Sequence, residues 1–167
     1  EVYRRAVMGN VEFTDNRIKV EAAIDDAIVA FLYESAGEIE SQTKDAQTRT
    51  DTGQTKGAWT HHVDEDKGEA VIGNPLENAI WEEYGTGEYA LKKNGRKGGW
   101  WAPVGPDGMS LKQASKFSKV KKDKAGNIVA VFTYGKKPLR PLQKAFDKTK
   151  SKIIKRLGSI LNQTFSE

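Results

Sequence analysis

Two adjacent carboxylates, Glu82 and Glu83, and two adjacent imidazoles, His61 and His62, are the residues of this 167-residue chain best suited by type to acid–base or metal chemistry. Their spacing argues against both uses. Neighbouring residues on a helix diverge by about 100°, so Glu82 and Glu83 do not face one reacting centre. Neighbouring residues on a strand point to opposite faces, so His61 and His62 do not share an ion. The chain has no cysteine and no HExxH spacing to complete a metal site. No serine lies in a G-x-S-x-G setting, and no G-x-x-x-x-G-K-[ST] loop is present. Gly85-Thr86-Gly87 alone is too little for a phosphate cradle. The sequence therefore predicts no catalytic residue, no metal ligand and no cofactor.

A second group is better suited to binding. Arg96 and Lys97 lie in a glycine-rich stretch just before Trp100 and Trp101. Such a set can stack on bases while holding phosphates. It can equally enter a pocket on a partner protein, because Trp and Arg dominate interface hot spots. Alternatively, one of two adjacent tryptophans packs in its own core. The stretch Glu82-Glu83-Tyr84-Gly85-Thr86-Gly87 precedes this group and reads as a helix running into a glycine stop.

The elements that position these residues follow from periodicity. Val20, Ile24, Ala27, Ile28, Phe31, Leu32, Ser35 and Ile39 recur at helical steps, predicting a long helix over 20–45. Val11-Glu12-Phe13 is a candidate short strand before the turn Asp15-Asn16. Asp51 or Thr52 is placed to cap a short helical turn through Gly57. Residues 58–63 and 69–73 read as two strands joined through Lys67-Gly68. Asn74-Pro75 ends the second and starts a short helix, with Ala79, Ile80 and Tyr84 as its apolar side. Residues 128–134 form the best strand in the chain, which Gly135 ends. A last amphipathic helix is expected over about 141–161, with Phe146, Ile153, Ile154 and Leu157 turned to the core. Residues 91–124 show little order and are expected to be an inserted basic assembly loop. The fold class is α+β: a small antiparallel sheet of about four strands, packed by a long N-terminal helix and a C-terminal helix. The 1–167 chain is expected to form a single domain, with 1–7 an extension before a start at Met8.

Charge is unevenly spread. Residues 20–90 carry sixteen acidic against four basic side chains. Residues 91–124 carry ten basic against two acidic, and 136–160 nine against one. An acidic half followed by a basic half fits attraction within one protomer, head-to-tail contact between subunits, or contact with DNA. No apolar run approaches the ~18 residues that span a bilayer, so no membrane contact is expected. The lack of cysteine fits folding in a reducing cytoplasm.

Four blocks, in order, resemble the tail-completion or head–tail joining family of long-tailed bacteriophages (gene-product-ten-like minor tail proteins). Asp51-Thr52-Gly53-Gln54-Thr55-Lys56-Gly57-Ala58-Trp59 is similar to the family's D-T-G-x-L-[RK]-x-S block, with Thr55 in place of Leu. Val71-Ile72-Gly73-Asn74 through Glu82-Glu83-Tyr84-Gly85-Thr86-Gly87 resembles its V-G and E-[FY]-G-T-G block, with Asn78-Ala79 for Tyr-Ala. Glu88-Tyr89-Ala90 through Gly95-Arg96-Lys97 and Trp100 resembles a loop found in one branch. Phe132-Thr133-Tyr134-Gly135 through Arg140-Pro141-Leu142 to Ala145 resembles the closing [FW]-T-x-G block, without its final Pro.

The resemblance implies a structural virion protein of the phage neck, assembled in the host cytoplasm as a homo-oligomeric ring, six-fold in preference to twelve-fold. Its implied partners are neighbouring neck and tail proteins, with phage DNA passing through without tight binding. It implies no enzymatic activity. Interface candidates are Glu82, Glu83, Tyr84, Gly85, Thr86, Gly87, Arg96, Lys97, Trp100, Trp101 and Arg140. The alternative functions are a nucleic-acid-binding module using the basic Trp-containing loop and, more remotely, an adaptor or toxin-like prophage product.

Overall fold

The computed structural model describes residues 6–8, 11–13, 17–106 and 108–164, with side chains from residue 21 onward. The expected turn at Asp15-Asn16 lies outside the described residues, as does most of the 1–7 extension. The elements run β1 (Ala6–Met8), β2 (Val11–Phe13), α1 (Arg17–Ala46), α2 (Gln54–Gly57), β3 (Thr60–Asp64), β4 (Glu69–Gly73), α3 (Glu77–Tyr84), β5 (Trp100–Pro103), α4 (Leu111–Ala114), β6 (Val120–Lys122), β7 (Ile128–Thr133) and α5 (Pro141–Thr164). A single 3-10 turn, Gly87–Tyr89, follows α3.

The α+β class holds, with long helices near both ends of the chain. The strands do not join into one sheet. β1 pairs with β2, β3 with β4, and β5-β7-β6 form a separate three-stranded sheet; all of these pairings are antiparallel. The break between the last two sheets has a local cause. After β4, Asn74 Oδ1 accepts from the Leu76 N–H at 3.0 Å, a side-chain turn that redirects the chain into α3. Asn74 Nδ2 donates to the Thr55 carbonyl at 2.8 Å, fixing α2 to the end of β4.

The β3–β4 hairpin lies on α1. Its turn is held by Asp64 Oδ1, which accepts from the Lys67 N–H at 3.1 Å, and by Gly68 at φ +64°. Val63 and Trp59 are buried beneath it, while His61 and His62 diverge as strand geometry requires. His61 turns inward, with Nδ1 2.6 Å from Glu40 Oε2 on α1, and His62 is exposed.

Helices α1 and α5 pack antiparallel through small residues. Ala36, Thr43, Ala145 and Thr149 are all buried, and Thr43 and Thr149 satisfy their hydroxyls on the Ile39 and Ala145 carbonyls. Ion pairs and hydrogen bonds cross the seam in regular steps. Lys148 donates to Gln42, Lys152 to Glu38, and Arg156 to both Glu38 and Glu34. Each step back of four residues along α1 is matched by four residues forward along α5, which sets the register of one helix on the other. Part of the acidic–basic split is thus attraction within the protomer.

Two expectations for α5 are overturned. Phe146 and Ile154 do not enter the core; they are 49% and 68% exposed. The small residues at the seam draw the two backbones together, and the larger apolar side chains at 146 and 154 fall on the outer side. The segment 91–124 is not a loop throughout. It supplies both edge strands of the three-stranded sheet, and α4 packs on β7. Its order is hard to read because β5 and β6 are only four and three residues long and each depends on β7 for every ladder bond.

Candidate functional site

Helix α3 buries the residues that are costly to bury and exposes the ones that favour burial. Ala79, Glu82 and Glu83 face inward, while Ile80, Trp81 and Tyr84 are 59%, 47% and 50% exposed. The apolar side expected of Ala79, Ile80 and Tyr84 is therefore not the packed side; only Ala79 is buried. Ile80 and Tyr84 stand one turn apart with Trp81 beside them, so the three form a continuous outer ridge. The Leu91 N–H donates to the Tyr84 carbonyl at 2.9 Å, which brings the exposed Leu91 to the end of this ridge.

The inversion is stabilised by what the carboxylates do. Glu83 accepts from the Leu142 N–H through Oε2 at 2.9 Å and from the Gln143 N–H through Oε1 at 3.1 Å. These are free amide donors of the first turn of α5, so a glutamate 59 residues upstream caps that helix. The residue at the usual capping position is Arg140, whose side chain has no acceptor and whose φ is +59°. Glu82 turns the other way. Its carboxylate lies between Lys136 and Arg49, 3.5 Å from Arg49 Nη1, and its carbonyl accepts from the Leu139 and Arg140 N–H groups at 2.7 and 3.1 Å. Arg49 also donates to the Lys137 carbonyl at 2.6 Å. The two glutamates together fasten the segment before α5 to α3.

The glycine stop continues this fastening. The Thr86 N–H donates to the Lys136 carbonyl, the Lys136 N–H to Thr86 Oγ1, and the Glu88 N–H to the Tyr134 carbonyl, each at 2.9 Å. Gly87, at φ +59°, lies so close to this strip that a Cβ there would meet the Tyr134 carbonyl at 2.2 Å and the Trp100 ring at 2.7 Å. Gly95 also packs on the Gly87 backbone, where a Cβ on Gly95 would meet the Gly87 carbonyl oxygen at 2.0 Å. Trp100 is therefore packed within the protomer, and the Arg96 guanidinium lies 5.3 Å from its ring centre.

Trp101 points to the opposite face of β5, away from Trp100. There it meets Phe132, its cross-strand partner, edge to face at 5.5 Å, and Phe132 meets Tyr134 at 5.3 Å. Lys119 Nζ is 4.1 Å from the Phe132 ring centre and Lys121 Nζ 4.5 Å from that of Trp101. On the other face, Val131 of β7 is fully buried, as is Ala114 of the helix that packs on this strand.

The sequence-predicted residues thus fall into four places. Glu82, Glu83, Gly85, Thr86, Gly87, Arg96, Trp100 and Arg140 gather at the joint between α3, β5 and α5, where Glu82, Glu83 and Gly87 are buried in the protomer. Tyr84 lies on the outer ridge. Lys97 is exposed, and Trp101 belongs to the aromatic sheet face. Arg49, Lys136 and Gly135 are functional parts of the joint that sequence reasoning missed. The signal for Gly135 is its place directly after the strongest strand; nothing local marks Arg49, 33 residues from the carboxylate it meets.

Electrostatics at the α1 surface are settled by local pairs. Lys44 and then His61 hold the Glu40 carboxyl below its ordinary range, and Lys152 with Arg156 does the same for Glu38. The Glu65 carboxylate, accepting from the Tyr33 hydroxyl at 2.8 Å, raises the phenol. Among the described residues no group of three or more His, Cys, Asp or Glu is placed to hold a metal ion, and no helix is long and apolar enough to cross a membrane. No family model matches this chain, and no curated protein or solved structure is significantly similar to it.

Proposed function

We propose that this chain is a structural, self-assembling subunit of the neck of a tailed-phage virion, forming a homo-oligomeric ring, six-fold in preference to twelve-fold, that completes the tail or its junction with the head. The observation that carries the reading is α3, which turns two carboxylates inward and leaves Ile80, Trp81 and Tyr84 outside. Exposing such a ridge on a lone protomer is unfavourable, and a contiguous apolar patch bounded by charge is the usual mark of a protein contact.

A second line of support is the convergence of the four blocks that carry the family resemblance. Asn74 ties the second block to the first through the Thr55 carbonyl, Glu82, Glu83 and Thr86 tie it to the fourth, and Gly87 receives Trp100 of the third. Residues that are scattered in sequence thus serve one joint. In this reading the joint is internal architecture, and the partner-facing residues are those on its outer side. The role is structural rather than enzymatic, because Glu82 and Glu83 are committed to helix capping and ion pairing. The ring would assemble in the host cytoplasm, contact neighbouring neck and tail proteins, and pass phage DNA without gripping it.

Light scattering after size exclusion, followed by negative-stain imaging with and without phage tail tubes, tests the reading. The expected result is a closed ring or a ring formed on the tube end. A chain that stays monomeric at high concentration and does not associate with tubes overturns it.

A further inference from the structure

The outer face of the β5-β7-β6 sheet has a chemistry that a subunit contact does not account for. Trp101, Phe132 and Tyr134 form a ladder along it, with Lys119 and Lys121 held over the first two rings. A lysine over an aromatic face is attracted to it by the ring quadrupole. Among the described residues no cation lies over Tyr134, which is 48% exposed at the end of the ladder. None of the ten basic side chains of 91–124 forms an ion pair with a described residue. By contrast, Lys148, Lys152 and Arg156 of α5 are engaged by α1. Lys119 and Lys121 therefore bring positive charge with no carboxylate partner among the described residues to the sheet face that carries the exposed Tyr134 ring.

We propose that this face binds single-stranded nucleic acid, with Tyr134 stacking on a base and Lys119 and Lys121 contacting the flanking phosphates. Cations beside an exposed ring match the alternation of charge and π-surface along a single strand. Duplex DNA offers the phosphates but hides the faces of its bases, so it gains only the electrostatic part. The site does not rest on the neck reading and is compatible with it, since a duplex crossing a channel would not be held by stacking. Arg96 and Trp100 are not part of the site, because Trp100 is packed against Gly87 on the other side of the strand.

Fluorescence anisotropy of the full chain with a labelled mixed-sequence single-stranded oligonucleotide, and with the same strand in duplex, tests the proposal over a salt series. The single strand should bind at least about tenfold more tightly than the duplex. Tyr134→Ala should weaken single-strand binding by about fivefold or more with the salt slope unchanged. Lys119→Ala with Lys121→Ala should weaken it and reduce the salt slope by about one to two. Thermal midpoints of both variants serve as the folding control. The proposal is overturned by absent single-strand binding, by equal affinity for the duplex, or by variants that bind like the parent. Loss of self-association in the lysine variant with oligonucleotide binding intact would also overturn it, and would make the face a subunit contact.

Discussion

The carboxylate of Glu83 accepts hydrogen bonds from two successive backbone amides of another helix, those of Leu142 and Gln143. Helix α5 has a proline at its first position and an arginine before it, so its own sequence supplies no acceptor for those amides. The cap is borrowed from α3, and the order of α5 is thereby coupled to the placement of α3. Glu83→Ala should lower unfolding free energy by about 2 kcal/mol, the cost of losing a charge-assisted cap in a buried setting. Glu83→Gln keeps an acceptor but not the charge and should lose about half as much. Urea titration at neutral pH measures both, and parent-like midpoints for the alanine variant would show that α5 needs no outside cap.

Gly87 is where the joint tolerates no side chain. A methyl group there would overlap the Tyr134 carbonyl and the Trp100 ring, and the backbone is already at φ +59°. Gly87→Ala should cost roughly 2–4 kcal/mol, combining overpacking with a left-handed backbone. Gly126 is the matched comparison, at φ +89° with open space around it. Gly126→Ala should cost only the backbone share, about 1 kcal/mol. Because Trp100 is the ring displaced, the Gly87 variant should also shift tryptophan emission, and an unshifted spectrum with equal losses at both sites would contradict the close approach.

Acid should weaken the α1 surface in a defined window. Glu38 and Glu40 have carboxyl pKa values below the ordinary 4.5, held there by Lys152 and Lys44 respectively. A carboxyl depressed in the folded state contributes fully above its unfolded value, and that contribution is lost as pH falls through the folded one. Stability should therefore decline from about pH 5 downward. The Glu38→Gln, Glu40→Gln double variant should start lower at neutral pH and decline less steeply, in thermal melts at constant ionic strength. Parallel curves for the two proteins would assign the acid sensitivity to other groups.

What the sequence revealed of this fold was its local periodicity. Phe31 lies on the apolar stripe that periodicity gives α1 and is buried, and the divergence of His61 from His62 and of Glu82 from Glu83 follows from strand and helix geometry. Hydrophobicity alone puts Phe146 and Ile154 on the buried side of α5, yet both are exposed. That side is set instead by Ala145 and Thr149, whose small size only matters once α1 is opposite. The joint was legible as a set of residues but not as a geometry, since Arg49, Lys136 and Gly135 reach Glu82 and Thr86 across long chain separations. Phe31→Ala should accordingly cost about 3–5 kcal/mol. Ile154→Ala should fall within about 0.5 kcal/mol of the parent. Denaturant midpoints distinguish them, and equal losses would place Ile154 back in the core.

The α3 ridge separates stability from assembly. Ile80 and Trp81 are both about half exposed, and among the described residues their side chains make no hydrogen bond, so replacing them should leave the protomer intact. Ile80→Ser with Trp81→Ser should change unfolding free energy by less than about 0.5 kcal/mol under conditions where the chain is monomeric. In a ring, the same ridge would be desolvated against a neighbour, and losing a tryptophan anchor typically costs about 2 kcal/mol or more of association energy. The double variant should therefore need at least roughly tenfold more protein to associate. Val71, 63% exposed on the β3–β4 hairpin and outside the ridge, provides the comparison: Val71→Ser should leave association unchanged. Sedimentation velocity across a concentration series reads both outcomes. If the double variant associates like the parent, the ridge is not the contact; if it unfolds, Trp81 holds the protomer together despite its exposure.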